Sequence, residues 1–350
     1  MIKNKNKLVR IIFIILLLWM LMGCNKESIE YDLDTIGIVK TSQCRDKTEI
    51  SFLDKELNLR KDITLNVGNI CSVDCKTIKH NKKIYAVSNN ISNKEISSNI
   101  FKLDIMKKEY VVNKNKEGIN NICVDDHIYT LGTKYEGNTV SYIGKYTYDF
   151  RRINKIMVKN IILSNICVYK NNIYVAGFEY YNDKIFSKLY IVDKCTMKIS
   201  KEIDISDAMM EVSDMIVINN KLYIGGRTRI SNERTEVESK YIIIVDLEKY
   251  YYEKIYVGDR VGQFIYEENR LDFSNYDAIY DEGNKIYCLD MYNGRIKKYN
   301  FDEAIRDMYL CENTLYVLSK RTVYKYKIRK EIKLIDKKRL KDDYICFLRN

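Results

Sequence analysis

The sequence predicts an all-β fold of repeated four-stranded antiparallel sheets, and three observations carry that expectation. A short pattern recurs along the chain: Lys83-Ile84-Tyr85-Ala86-Val87, His127-Ile128-Tyr129, Asn172-Ile173-Tyr174-Val175, Lys221-Leu222-Tyr223-Ile224, Lys285-Ile286-Tyr287 and Thr314-Leu315-Tyr316-Val317. Its tyrosines are separated by 44, 45, 49, 64 and 29 residues. Each copy follows a polar turn such as Asp125-Asp126, Asn219-Asn220 or Glu282-Gly283-Asn284, and an apolar run such as Met215-Ile216-Val217-Ile218 precedes the turn, as in a tight hairpin between two strands. Beyond a variable loop a second hairpin follows, Lys188 to Asp193 with Lys198 to Ile205, or Tyr241 to Asp246 with Tyr250 to Val257. The residues are β-branched and aromatic, without the 3.6-residue apolar spacing of a helical solenoid. Four short strands in each unit of about 40–50 residues are the signature of a β-propeller blade.

In chain order, the first element is a basic start (Lys3, Lys5, Lys7, Arg10), an apolar run Ile11 to Met20, and Leu21-Met22-Gly23-Cys24. A charged beginning, a short apolar core and small residues at the cut make a cleaved secretory signal, and the run is short for a membrane span. Residues 1–24 resemble the export signal of bacterial lipoproteins. That resemblance implies removal of residues 1–23, lipidation of Cys24 through its sulfur, and a place on the extracytoplasmic face of the cell membrane. Two or more acyl chains hold a soluble domain stably where one does not. Residues 24–30 then read as a short flexible tether, because a chain without proline excludes a stiff spacer, and residues 31–350 as the propeller domain.

Seven blades are expected. Residues 36 to 66 supply three strands, Ile36 to Lys40, Glu49 to Leu53 and Leu57 to Leu65, and the innermost strand of that blade can come from Tyr344 to Leu348. Such a closure removes an open sheet edge. Six blades is the alternative, because the 29-residue spacing before Tyr316 leaves little room for a fourth strand. The outer hairpins, as in Leu189-Tyr190-Ile191-Val192-Asp193 continuing to Lys198-Ile199-Ser200, resemble the loose repeat of YVTN and quinoprotein-like propellers over residues 70 to 257. That resemblance bears on fold far more than on activity.

Composition narrows the function classes. Removing residues 1–23 takes four of the 59 basic residues and no acidic ones, leaving 55 against 48 and a formal charge of +7. Lys and Glu interleave throughout, a solvated surface and not a phosphate-tracking stripe, so nucleic acid is not an expected partner. Of ten cysteines, Cys123, Cys167, Cys311 and Cys346 recur in one strand setting and read as small apolar side chains. Cys71 and Cys75 are the exception, as a possible disulfide. With two histidines, His80 and His127, and no paired C-x-x-C spacing, no metal site is expected, and no cofactor. The single tryptophan, Trp19, lies in the signal, so the docking motifs of quinone-cofactor propellers and the Trp-Asp of WD repeats are missing. No G-x-S-x-G, H-E-x-x-H or P-loop is present.

Site residues are therefore sought on the loops between second and third strands, since binding residues concentrate on loops of a rigid scaffold. The candidates for ligand binding are Lys134, Tyr135, Glu179, Tyr180, Arg227, Arg229, Asp290 and Tyr292, with Arg227 and Arg229 beside Glu233 able to grip a carboxylate or phosphate. A crossing from Gly258 to Tyr276 is expected to bring Phe264, Tyr266, Phe273 and Tyr276 to the same face. The leading reading is a membrane-anchored binding or interaction module for an envelope protein, peptide or glycan. The alternative is a hydrolase or lyase using carboxylates such as Glu179 and Asp290 near Arg227, arguable as a glycosidase if two carboxyls converge within about 5–9.5 Å.

Overall fold

The computed structural model describes residues 27–28, 35–40, 47–71, 76–91, 96–114, 118–136, 138–181, 184–209, 211–230, 236–328 and 332–348. The export signal, Cys24, Cys44, Cys75 and Glu233 lie outside these residues. The described chain is a seven-bladed β-propeller of four-stranded antiparallel sheets, so the six-blade alternative falls away.

Blade 1 is Tyr344–Leu348, Ile36–Lys40, Thr48–Leu53 and Leu59–Leu65, from the inside outward. Its innermost strand is the C-terminal one, with Gly37 opposite Leu348, Ile38 opposite Phe347 and Val39 opposite Cys346. Leu57, expected in the outer strand, instead sits in the preceding turn at φ 60°. Blade 2 has a split inner strand, Asn69–Ile70 and Ile78–His80, followed by Lys83–Ile91, Ile96–Asp104 and Glu109–Lys114. Outside it lies one more short strand, Glu27–Ser28, paired to the blade's outer edge with Glu27 opposite Tyr110 and Ser28 opposite Glu109.

Blade 3 runs Ile119–Val124, Ile128–Glu136, Asn138–Tyr146 and Arg152–Lys159, and blade 4 runs Ile161–Tyr169, Asn172–Tyr181, Lys184–Asp193 and Lys198–Asp204. Blade 5 is Val212–Ile218, Lys221–Gly226, Tyr241–Asp246 and Tyr252–Tyr256, with an added hairpin of Thr228–Ile230 and Glu236–Glu238. Blade 6 is Phe264–Glu267, Arg270–Ser274, Lys285–Asp290 and Ile296–Asn300, and blade 7 is Ile305–Cys311, Thr314–Ser319, Thr322–Ile328 and Ile332–Arg339.

Blade 6 corrects two expectations. Tyr287 lies on its third strand and not its second, and the stretch read as a crossing supplies the two inner strands, so Phe264 and Phe273 are buried core residues. The repeat position held by tyrosine elsewhere is Asp272, which follows the Glu268-Asn269 turn as Tyr223 follows Asn219-Asn220. Both turns place their two residues at positive φ (43° and 65°; 49° and 61°), the geometry of tight hairpins.

The Ile-Tyr runs are continuously apolar because both faces of a blade are covered by neighbours. Ile84 and Ala86 pack toward blade 1 while Tyr85 and Val87 pack toward blade 3. The buried apolar residues divide accordingly into seven clusters, each at one junction between adjacent blades. Outer strands are solvated, as in the largely exposed Ile332–Arg339 with Lys333, Lys337 and Lys338, and such lysines discourage edge-to-edge association.

Candidate functional site

The channel at the centre is walled by the inner strands, and its polar side chains are committed to the architecture. In four blades a bulge falls beside a polar residue, at Asn121, Asn165, Asp214 and Asp307. A bulge leaves a backbone group without a ladder partner, and each of these side chains accepts the N–H of the next residue at 2.8–2.9 Å. Each also reaches the following blade. Asn121 and Asn165 donate to the carbonyls of Ser164 and Ser213 at 3.0 and 3.1 Å. Asp214 and Asp307 accept from the N–H of Phe264 and Phe347 at 2.9 and 2.8 Å. Gln263 bonds both backbone groups of Met308, and Thr77 donates to Phe347 O at 2.9 Å. Asn suits a carbonyl neighbour and Asp an N–H neighbour, so residue type follows from what the next blade presents.

A cavity of about 220 Å³ in this channel is lined by Lys76, Cys123, Cys167 and Asp214 among others. Burial pushes the Cys123 thiol up to about 11 and raises the Cys167 thiol well above its ordinary value, so both remain protonated and poorly nucleophilic. Cys123, Cys167, Cys311 and Cys346 carry free thiols; the first three are half-buried at the channel lip and Cys346 is buried in the blade 1–blade 2 core. Among the described residues no group of three or more His, Cys, Asp or Glu is placed to hold a metal ion.

One face of the ring carries the second-to-third-strand loops and the blade crossings, here the loop face. The other carries the hairpin turns, here the turn face. Lys134, Glu179 and Arg227 come to the loop face, in blades 3, 4 and 5. Tyr135, Tyr180 and Arg229 belong to strands reaching it, their side chains lying outside the described residues. Arg227 is 7% exposed and pairs with Glu211, Nε to Oε2 at 3.3 Å, beside a cavity of about 220 Å³ that Asn120 and Phe178 also line. Glu179 is held by Lys188 at 3.1 Å, which also meets Glu202 at 3.2 Å.

Asp290 and Tyr292 were expected on that face and lie on the turn face, because Lys285–Asp290 is a third strand. Asp290 closes its turn by accepting the Tyr292 N–H at 2.9 Å and the Asn293 amide at 2.6 Å. Asp193 and Asp246 cap the equivalent turns of blades 4 and 5 in the same way. The carboxylate recurring in the outer-hairpin pattern is thus a turn cap, and it cannot act together with Glu179 across the ring.

Sequence reasoning missed the strongest feature of the loop face, the segment 275–284 of blade 6. Its base is a pair of backbone hydrogen bonds between Asp277 and Glu282. Arg260 grips both side chains, at 2.7 Å to Asp277 and 2.5 Å to Glu282, and meets Glu238 of the blade 5 hairpin at 3.4 Å. Arg306 binds Asp281 through two nitrogens and donates to Tyr344 O at 2.6 Å, tying the segment to the closing strand. Burial raises the Asp281 carboxyl, but Arg306 and Tyr276 outweigh it and hold the group below the usual carboxylate range. Asp259 is treated alike: burial opposes, and Lys285, Tyr287 and Asn275 prevail. At the apex Ile279 and Tyr280 stand 64% and 72% exposed. The signal for this site was the three carboxylates Asp277, Asp281 and Glu282 flanking one Ile-Tyr pair.

No family model and no curated protein matches the chain. Solved structures do. A candidate 6-phosphogluconolactonase from Bacteroides fragilis is similar at 12% identity and TM-score 0.60, covering 90% of this chain and 97% of that one. Its counterpart from Bacteroides uniformis aligns at 10% identity and TM-score 0.60, covering 90% and 99%. AztD from Citrobacter koseri aligns at 10% identity and TM-score 0.51, covering 89% and 96%. Identities this low speak to architecture alone, and the architecture they share with this chain is the β-propeller.

Proposed function

We propose that the chain is a binding module on the outer side of a bacterial cell membrane, anchored by lipid on Cys24, that recognises an envelope protein or peptide through the loop face of blades 5 and 6. The observation that carries this reading is the braced segment 275–284. Two half-buried arginines brace it, so an exposed Ile-Tyr pair is presented without the ordering cost that a mobile loop adds on association. Tyrosine on a rigid support, ringed by polar groups, has the chemistry of an interface anchor.

The hydrolase reading loses its carboxylate pair, since Glu179 and Asp290 are on opposite faces, and Asp214 and Asp307 are occupied by backbone N–H groups. A photo-crosslinking residue at position 280 in living cells should capture a discrete partner, lost with Ile279→Asp, while the same probe at Tyr251 on the turn face should not. Turnover of 6-phosphogluconolactone or of a glycoside panel by the purified chain would instead establish an enzyme.

A further inference from the structure

On the turn face, the junction of blades 7, 1 and 2 holds a cleft of about 370 Å³ beside the mouth of the channel. Lys79, Tyr309 and Cys311 line both this cleft and an adjoining cavity of about 350 Å³ between the inner strands, so the two spaces meet. Lys55, Lys79, Lys82 and Lys325 line the cleft, with Glu312 as its one carboxylate. Lys55 sits 3.7 Å from Glu312, both side chains largely exposed, so that pairing is weak and screened. The Lys325 ammonium donates to the backbone carbonyl of Lys55, which leaves its charge unneutralised. The side chains of Lys79 and Lys82 meet no carboxylate among the described residues.

An independent observation is a stranded hydroxyl in the same wall. Tyr316 is 5% exposed and its ring stacks on that of Tyr309 at 6.3 Å between centroids, yet its hydroxyl has no hydrogen-bond partner among the described residues. A buried tyrosine hydroxyl ordinarily finds one. Burial, helped by Cys311, Glu312 and Glu56, pushes its pKa up to about 12, so the group keeps its proton and is a donor awaiting an acceptor.

The chemistry of the lining selects the ligand. No arginine lines the cleft, so the planar fork that suits a carboxylate is missing, whereas lysines serve phosphate as point charges. A phosphomonoester near neutral pH carries close to two negative charges and three acceptor oxygens, which answers several ammonium groups and one hydroxyl together. The remaining wall is apolar and aromatic, with Ile36, Ile105, Met106 and Tyr309, and the volume falls in the range of about 300–1,000 Å³ typical of small-molecule clefts.

We infer that the cleft binds a small organic phosphomonoester, its phosphate held by the lysines and the Tyr316 hydroxyl and its organic part laid over Tyr309 and Met106. The site lies on the opposite face from the segment 275–284 and stands independently of the partner surface proposed there.

The test uses the full chain in nonionic detergent at low salt and follows brief amine acylation residue by residue by mass spectrometry while phenyl phosphate is titrated. Lys55, Lys79, Lys82 and Lys325 should be protected several-fold and saturably, and Lys320 and Lys341 on the loop face should be unaffected. Inorganic phosphate, which lacks the ring, and benzoate, which lacks the second charge, should each need about tenfold more for the same protection. Tyr316→Phe keeps the ring and removes the donor, so it should melt as the wild type does and raise the half-protecting concentration about tenfold, the loss of one hydrogen bond to a charged group. The double substitution Lys79→Gln with Lys82→Gln, at exposed turn positions, should abolish the protection of Lys55 and Lys325. Absence of protection at millimolar phenyl phosphate overturns the site. Equal protection by inorganic phosphate or benzoate, or an unchanged midpoint in Tyr316→Phe, overturns it in favour of non-selective screening of surface lysines.

Discussion

Asp307 is 1% exposed, and both of its oxygens accept backbone N–H groups, from Met308 in its own strand and Phe347 in the next blade. Truncation strands the buried Phe347 N–H, while the Met308 N–H keeps Gln263 Oε1 as acceptor, so Asp307→Ala should lower the unfolding free energy by about 1–3 kcal/mol in urea titrations. Asn165→Ala, which removes a donor to Ser213 O and an acceptor for Ile166 N–H, should cost a similar amount. Gly283 is a second position without substitutes. Its φ is +108°, and a Cβ there would fall 2.2 Å from the Asn275 carbonyl oxygen. Gly283→Ala should destabilise the chain by about 1–3 kcal/mol and weaken any partner captured at position 280, which calorimetry and the crosslinking yield would each detect.

At the scale of elements, charged side chains staple neighbouring blades where their turns meet. Lys194 of blade 4 reaches Asp125 at 2.7 Å and Asp126 at 2.8 Å, both in the first turn of blade 3. Burial works against the Asp126 carboxylate, yet Lys194, Tyr129 and His127 bring its pKa down to about 2. A carboxyl depressed on folding contributes stability that is complete above its unfolded value, about 3.9, and is lost as pH falls toward about 2. Acid melting of the wild type should therefore steepen between those limits, and Asp126→Asn should flatten that part of the profile. The closing strand was legible in the sequence because Tyr344 to Leu348 is an apolar run and residues 36 to 66 supply three strands without an innermost one. Blade 6 was not. Its repeat tyrosine is replaced by Asp272, 3% exposed and bonded to Arg270 at 2.7 Å, so a buried ion pair occupies the place where the pattern demanded a ring. The Ile-Tyr signal then reappeared one strand late, at Tyr287, which produced the uneven 64 and 29 spacing and put Asp290 on the wrong face. Arg227 was legible because it falls on a loop between second and third strands with Arg229 close behind it. The donation of the Lys325 ammonium to the Lys55 carbonyl was not, because the two residues are neighbours only once the ring has closed.

For the whole molecule, stability resides in junctions between blades, and at the junction of blades 7 and 1 the C-terminal strand supplies the inner wall. Phe347 is fully buried there, packed with Tyr316, Leu318 and Ile38. Phe347→Ala should cost about 3–5 kcal/mol, and a chain stopping before Tyr344 should be cleaved rapidly by protease where the full chain resists. A timing constraint follows for a polypeptide made from its N-terminus. The opening sheet must wait, incomplete, until residues 344–348 have been synthesised, so six blades stand assembled around a gap until that strand arrives. A stop codon just before Tyr344 then leaves this seam unsealed with six blades already made, and any chaperone the nascent chain meets has its work to do there.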